Sequence, residues 1–351
     1  MAYVLSTAKT LAEYRYTQSE AEPWISNWIE SRGGNPDIAL RMNRNAEVGW
    51  RSSVLPIEDV FRPKTLTESN QLYEAGMIRL GAEVSRKAID AACIEPAEVD
   101  LVVSVSCTGF MIPSVDAYLI DELGMAPETK RLPITEMGCA AGAVGLSRVR
   151  EYLLAFPEHR VLLVSVELPT LTFQLNNLSM DNIVSVAIFG DGAAAVVLGG
   201  EPRDGSPEIV DSRTVTLPGS MNLMGFKLGD AGFQIILSKE IPRAVKEKVR
   251  PIVEAFLGRS ELTLEAIDHL LFHPGGKRIL EVYRDELGVT KEALRFSRKI
   301  LKEFGNVSSA TILMILDEIL RSGEAKAGDT GLLLAMGPGF SIEQLLIIWP
   351  D

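Results

Sequence analysis

EPAEVDLVVSVS, residues 95–106, has a twin in TLEAIDHLLFHP, residues 263–274. Each begins as a polar helix start, passes through Val-Asp or Ile-Asp, and ends in a short apolar run. Asp100 and Asp268 stand 168 residues apart. A second pair follows at nearly the same offset. Gly138-Cys139-Ala140-Ala141-Gly142 opens one helical pattern and Gly305-Asn306-Val307-Ser308-Ser309 opens another, with Cys139 and Asn306 167 residues apart. Each pattern leads into a further apolar run, VLLVSVEL (161–168) or LLLAMGPG (332–339). Any α/β protein repeats such patterns to some degree, but two anchors at one offset indicate an internal duplication.

Working outward, apolar runs alternate with amphipathic stretches, the signature of an α/β fold. Buried strands are expected at 101–107, 161–168, 193–199, 270–273 and 332–336. Helical periodicity covers 66–92, 143–155 and 310–322. No Pro- or Ser-rich linker divides the chain, so the halves, 1–210 and 211–351, are expected to share one core. A length of 351 residues with 46% hydrophobic content is ample for it.

Acidic residues outnumber basic ones, 47 to 35, for a net charge of −12. No basic stripe is visible, which argues against nucleic acid as a partner; an anionic ligand would need a local cluster of cations. Cys93, Cys107 and Cys139 are the only cysteines. With no CxxC or HExxH spacing, neither a disulfide framework nor a metal site is expected. The N-terminus, MAYVLSTAKTLAEYRYTQSE, lacks the basic-then-apolar pattern of a signal peptide, and no apolar run reaches membrane-span length. These features read as a soluble protein of the reducing cytoplasm.

Cys139 is flanked by Gly138, Ala140, Ala141 and Gly142, residues small enough for a sharp turn and for close approach of a substrate. The positive end of the following helix would favour the thiolate. The competing reading is a small core residue, which suits Cys93 on its helical pattern. Of three histidines, His159 lies in a polar turn and His269 begins a strand. His273 ends a strand and precedes Pro-Gly-Gly, where α/β folds place ligands, although a ring that only caps the turn is the simpler reading. Asn306 is a good helix N-cap in its own right. Its correspondence with Cys139 in the duplication gives it a second reading: a thiol, an imidazole and an amide donor together suit acyl transfer.

Five motifs, Gly138-Cys139, FGDGAAAVVL (189–198), HPGG (273–276), GNVSSA (305–310) and MGPGF (336–340), stand in the order and spacing of the chalcone and stilbene synthase family, the type III polyketide synthases. The chain resembles that family over essentially its whole length, most closely its bacterial members. The resemblance implies a thiolase-like αβαβα layered fold, a homodimer, no cofactor, and malonyl-CoA with an acyl-CoA starter as substrates. It implies an acyltransferase with a triad of Cys139, His273 and Asn306. The cysteine would carry the starter, and His273 and Asn306 would stabilise the enolate left by decarboxylation of malonyl-CoA.

The same resemblance places a gatekeeper on Phe189 and a cavity wall on Cys107, Ile112, Glu167, Pro169, Leu171, Thr172, Phe226, Ile235 and Ser308, with a cyclisation loop at Gly337, Pro338 and Gly339. Ile235 falls where the family has a second phenylalanine, Phe226 where plant members have glycine, and Pro169 where they have threonine. So apolar a wall favours an alkyl starter over a polar one. Cys107 reads either as a second cavity thiol or as packing. Coenzyme A is expected to meet Arg44, Arg51, Gly275, Gly276, Lys277 and Arg278; the last two follow a Gly-Gly turn near a helix start. The leading expectation is a fatty-acyl starter extended and cyclised to an alkylresorcinol or alkylpyrone. The alternatives are a malonyl-primed tetrahydroxynaphthalene-type synthase, a ketoacyl synthase III-like condensing enzyme, or a non-catalytic partner subunit.

Overall fold

The computed structural model describes residues 1–350. Its strands are, in chain order, β1 (Tyr3–Leu11), β2 (Tyr14–Thr17), β3 (Trp50–Ser53), β4 (Leu101–Val105), β5 (Lys130–Ile134), β6 (Arg160–Glu167), β7 (Gly192–Gly199), β8 (Glu208–Thr216), β9 (Met224–Gly229), β10 (Gly232–Leu237), β11 (His269–Phe272), β12 (Thr330–Gly337) and β13 (Ser341–Ile348). Nine of them run side by side in the order β11-β12-β13-β8-β1-β7-β6-β4-β5. The duplication is visible in this order. In the N-terminal half β4 pairs parallel with β6, which pairs antiparallel with β7, and β7 with β1. In the C-terminal half β11, β12, β13 and β8 repeat the same senses. The halves touch edge to edge at Tyr3–Glu208.

The paired aspartates do the same work in each half. Asp100 accepts from the Arg160 backbone N–H at 2.7 Å, and Asp268 accepts from Thr330 N–H at 2.8 Å. Each carboxylate therefore fastens the start of one parallel strand to the start of its neighbour, leaving the far strand ends to carry Cys107 and His273.

Five layers result. Val161 and Leu163 of β6 face inward, while Leu162 and Val164 face the long outer helix Leu66–Ala91. In the second half Leu271, Leu333 and Leu345 face inward, and Leu270, Phe272, Leu332 and Leu334 face the outer helices Ile241–Leu257 and Lys277–Leu287. Burial on both faces is why these strands read as unbroken apolar runs. The middle layer is a pair of inner helices, Ala141–Ala155 and Ala310–Ser322, sharing one core with both halves. The expected strands and helices all form. Sequence patterning gave no sign of β1 and β13, whose buried faces carry polar residues such as Thr7, Thr10, Glu343 and Gln344, or of β8, in which Ile209 is the one fully buried residue. The hairpin of β9 and β10 also escaped it. No helix is long and apolar enough to cross a membrane.

The inner helices meet at Gly142. A Cβ there would lie 2.3 Å from the Ser309 carbonyl oxygen and 2.8 Å from Ile312 Cγ2. Gly142→Ala is therefore expected to destabilise the fold by about 1–3 kcal/mol through forced separation of the helices. Gly258, with ordinary backbone angles and open space around it, is the control: Gly258→Ala should stay within about 0.5 kcal/mol of wild type. Chemical denaturation of the two variants measures the difference.

Candidate active site

Cys139 lies in a 3-10 turn, Gly138–Ala140, that runs directly into the first inner helix. Gly138 has φ +53°, and a Cβ on it would meet Pro338 Cδ at 2.5 Å, so glycine serves both the turn and the contact. Asn306 precedes the second inner helix. Its backbone is clamped to the other half: Asn306 N–H donates to Ile188 O at 2.8 Å, and Gly190 N–H donates to Asn306 O at 3.1 Å. That clamp also seats Phe189 between them. His273 follows β11, with its N–H on Leu334 O at 2.8 Å.

All four line one cavity of about 390 Å³. Ser308, at the unusual φ of +46°, joins their wall. The Cys139 thiol donates to Ser308 Oγ at 3.6 Å, and Cys107 Sγ lies 3.5 Å from the same oxygen. The Asn306 side chain is held at both ends: Nδ2 donates to Gly275 O at 3.1 Å, and Oδ1 accepts from Ser308 N–H at 2.8 Å. His273 is only 2% exposed, yet neither ring nitrogen has a hydrogen-bond partner in the protein. The other histidines are engaged, His159 with the Tyr152 hydroxyl at 2.6 Å and His269 with Asp329 at 2.8 Å. Buried polar groups are nearly always paired, so a free imidazole facing a cavity marks a place for a ligand.

Burial governs protonation here. It pushes the Cys139 thiol up to about 11, against the opposing hydrogen bonds from Ser308 and Asn306, and draws the His273 imidazolium down to about 4. These directions favour a neutral thiol and a neutral imidazole at pH 7, not the thiolate expected at a helix start. Glu167 sits behind Cys107. It accepts from Ser309 Oγ, from Thr108 Oγ1 at 2.9 Å and from Cys107 N–H at 3.1 Å, and burial raises its carboxyl above the usual range.

Pro169, Thr172, Phe226, Ile235, Gly275 and Pro338 join the cavity wall, and Gly337 and Gly339 flank Pro338 in its loop. Four expectations for the wall or for coenzyme A need correction. Glu167 is fully buried behind Cys107 and does not line the cavity. Ile112 is 81% exposed and lies outside the cavity of this chain. Leu171 faces a neighbouring pocket: three residues per turn put Pro169 and Thr172 on one face of the 3-10 turn Pro169–Thr172 and leave Thr170 and Leu171 on the other. Arg51 is 2% exposed: it donates to Val186 O and, at 3.2 Å, to Asn43 Oδ1, and packs over Tyr16, so no phosphate in solvent can reach it. Arg44 is exposed but paired with Glu22 at 2.6 Å. Lys277 lies 3.4 Å from Glu47, Arg278 is exposed beside it, and Gly276 caps their helix.

The hairpin supplies much of the wall that sequence reading missed: Met224, Leu228, Phe233, Ile236 and Leu237. Its short strands, MGFKLG and GFQIIL, carry neither clean alternation nor an unbroken apolar run, so local pattern offered little signal.

A five-layer duplicated α/β fold with a cysteine at one inner helix start and an asparagine at the other is a thiolase-like condensing enzyme. Comparison with known proteins carries this further. Residues 58–202 match the N-terminal domain of chalcone and stilbene synthases, and residues 208–349 match the C-terminal domain. The chain is 34% identical to the 1,3,6,8-tetrahydroxynaphthalene synthase of Streptomyces peucetius subsp. caesius, covering 99% of this chain and 93% of that protein. It is 30% identical to the α-pyrone synthesis polyketide synthase-like Pks18 of Mycobacterium tuberculosis, covering 94% and 86%. The crystal structure of the 1,3,6,8-tetrahydroxynaphthalene synthase of Streptomyces coelicolor A3(2), a bacterial type III polyketide synthase, superposes with a TM-score of 0.95 at 30% identity, covering 99% of both chains. The chain belongs to the chalcone and stilbene synthase family and is a type III polyketide synthase, an acyltransferase.

The protonation states give a prediction with a definite sign. His273 titrates near 6.5 when unfolded and at about 4 when folded. Between those values the unfolded chain binds the extra proton, so this residue's contribution falls as the pH drops from 6.5 towards 4. Asp191 and Glu343, raised to about 6 and about 7 by burial, act in the opposite direction. The test is therefore a difference. The gap in stability between wild type and His273→Gln should shift towards the variant on acidification through this window, read by denaturation at several pH values.

Proposed function

We propose that this type III polyketide synthase loads a fatty acyl group from its coenzyme A thioester onto Cys139, extends it with malonyl-CoA, and cyclises the product to an alkylresorcinol or alkylpyrone. The observation that carries this reading is the free His273 imidazole beside Cys139 and Asn306 in one apolar cavity. As the thioester carbonyl arrives, the Cys139 proton passes to His273, the sulfur bonds to the acyl carbon, and the coenzyme A thiolate leaves and takes the proton. Malonyl-CoA then loses carbon dioxide. The enolate oxygen that results is held by N–H groups of His273 and Asn306, and its carbon attacks the Cys139 thioester, releasing the thiolate. A neutral imidazole suits this task, because it donates a hydrogen bond without quenching the enolate.

Phe226, Ile235, Ile236 and Leu237 support an alkyl starter, since each methylene buried against them contributes about 0.8 kcal/mol. Cytoplasmic operation fits three free cysteines and coenzyme A thioester substrates. A homodimer fits the free edge of β5, whose residues 130–133 are exposed, next to the loop bearing Phe110 and Ile112, 60% and 81% exposed. One observation favours a second reading, malonyl priming to a tetrahydroxynaphthalene-type product. Cys107 shares Ser308 with Cys139, which gives the cavity a second thiol for a reactive intermediate.

Incubation of the protein with radiolabelled malonyl-CoA and acyl-CoA starters from acetyl to palmitoyl should give cyclised products that lengthen with the starter. Cys139→Ala should abolish them, and Asn306→Ala should lower the rate by about 10²-fold or more. Products from malonyl-CoA alone would select the second reading, and no product with any starter would sink both. Sedimentation should show a dimer that Ile112→Asp weakens; a monomer in wild type would overturn the assembly.

A further inference from the structure

Across the turn Pro169–Thr172 from Cys139 lies a second, smaller cavity of about 120 Å³. Its inner wall is mixed: Tyr73, Leu171 and Phe173 supply apolar surface, between the polar Asn70, Thr108 and Thr170. Phe233 and Thr108 belong to this wall and to that of the catalytic cavity. The outer part carries three cations: Arg32, Arg62 and Lys64. None of its 20 wall residues is Asp or Glu. Yet 47 of the chain's 351 residues are acidic, so a wall of average composition would carry about two or three.

The cations are poorly neutralised. Lys64 Nζ donates to the backbone carbonyls of Asp59 and, at 2.9 Å, Arg62, and to no carboxylate. Burial, with Arg62 beside it, draws this ammonium down to about 8. Arg62 reaches Asp59 at 3.2 Å and Glu68 at 3.8 Å, both side chains more than 40% exposed and outside the wall. Arg32 is exposed and forms no ion pair among the described residues. A charge of one sign at the open end of a pocket with apolar surface deeper in selects a ligand with the opposite charge and a ring or chain to lie on that surface.

We propose that this pocket is a binding site, separate from the catalytic cavity, for a small amphipathic acid: a carboxylate or acidic enol held by Arg32, Arg62 and Lys64, with a ring or short chain against Tyr73, Leu171 and Phe173. Two sources share that chemistry, a free short-chain carboxylic acid and a hydroxypyrone of the cyclised-product type. The site stands on its own geometry; only the second source rests on the proposed polyketide chemistry.

Calorimetry on the full-length protein tests it with hexanoate and with 4-hydroxy-6-methyl-2-pyrone, and with hexanamide and the pyrone methyl ether as uncharged counterparts. At least one acid should bind, its affinity falling about tenfold or more in Arg32→Ala/Lys64→Met. It should be unchanged in Ile235→Trp, which fills the catalytic cavity. The acid that binds names the source. The uncharged counterparts should not respond to the double substitution. Failure of both acids to bind, affinity unmoved by the double substitution, or binding lost in Ile235→Trp would each overturn the proposal. Malonyl-CoA turnover, measured on the same samples, shows that the double variant is folded and reports separately on the polyketide reading.

Discussion

The contact between Gly142 and the Ser309 carbonyl is the constraint on which the site depends. Two inner helices start side by side, and only a residue without a side chain lets them approach this closely. The turn bearing Cys139 and the segment bearing Asn306 and Ser308 immediately precede those starts, so the helix contact sets the distance between the thiol and its partners. The backbone clamp of Asn306 between Ile188 and Gly190 extends the same constraint to Phe189. The Gly138–Pro338 contact extends it to the loop after β12.

A site assembled this deep is dry, and dryness decides its electrostatics. Loss of water around Cys139 raises its thiol more than the hydrogen bonds of Ser308 and Asn306 lower it, and the charge of Glu167 adds to the rise. The result is a reserve of neutral groups, thiol and imidazole, that become charged or strongly polarised only when a substrate brings its own polar atoms. His273 shows this plainly. It sits among apolar neighbours with two unsatisfied nitrogens, a stability cost of about 1–3 kcal/mol per group that has no structural return. Ser308, in a backbone conformation that L-residues seldom adopt, is a further local strain at the same point.

Much of this was legible in the chain. The matched offsets of Asp100 with Asp268 and of Cys139 with Asn306 reflect an architectural repeat, because each pair occupies equivalent places in strand and helix. Strands buried on both faces announced themselves as unbroken apolar runs. What escaped notice did so for physical reasons. β13 hides Glu343 and Gln344 in its interior, which spoils both alternation and continuity. Arg51 looked like a phosphate ligand because arginine usually reaches water, but the pairing of β3 with β2 turns it inward beneath Tyr16. Ile112 and Leu171 belonged to the right segments with the wrong orientation.

By itself the sequence determined the duplication, the layered α/β class and the three residue types that converge on acyl transfer, since these depend on local pattern and on spacing along the chain. It also supplied the family resemblance. Only the tertiary structure decided which side chains share a space. A 3-10 turn separates Thr172 from Leu171, a hairpin with no distinctive local pattern becomes the cavity wall, and Arg32 joins Arg62 and Lys64, 30 residues further on, around one small pocket. Orientation and desolvation are properties of the packed neighbourhood, and neither is written in the order of residues along one segment.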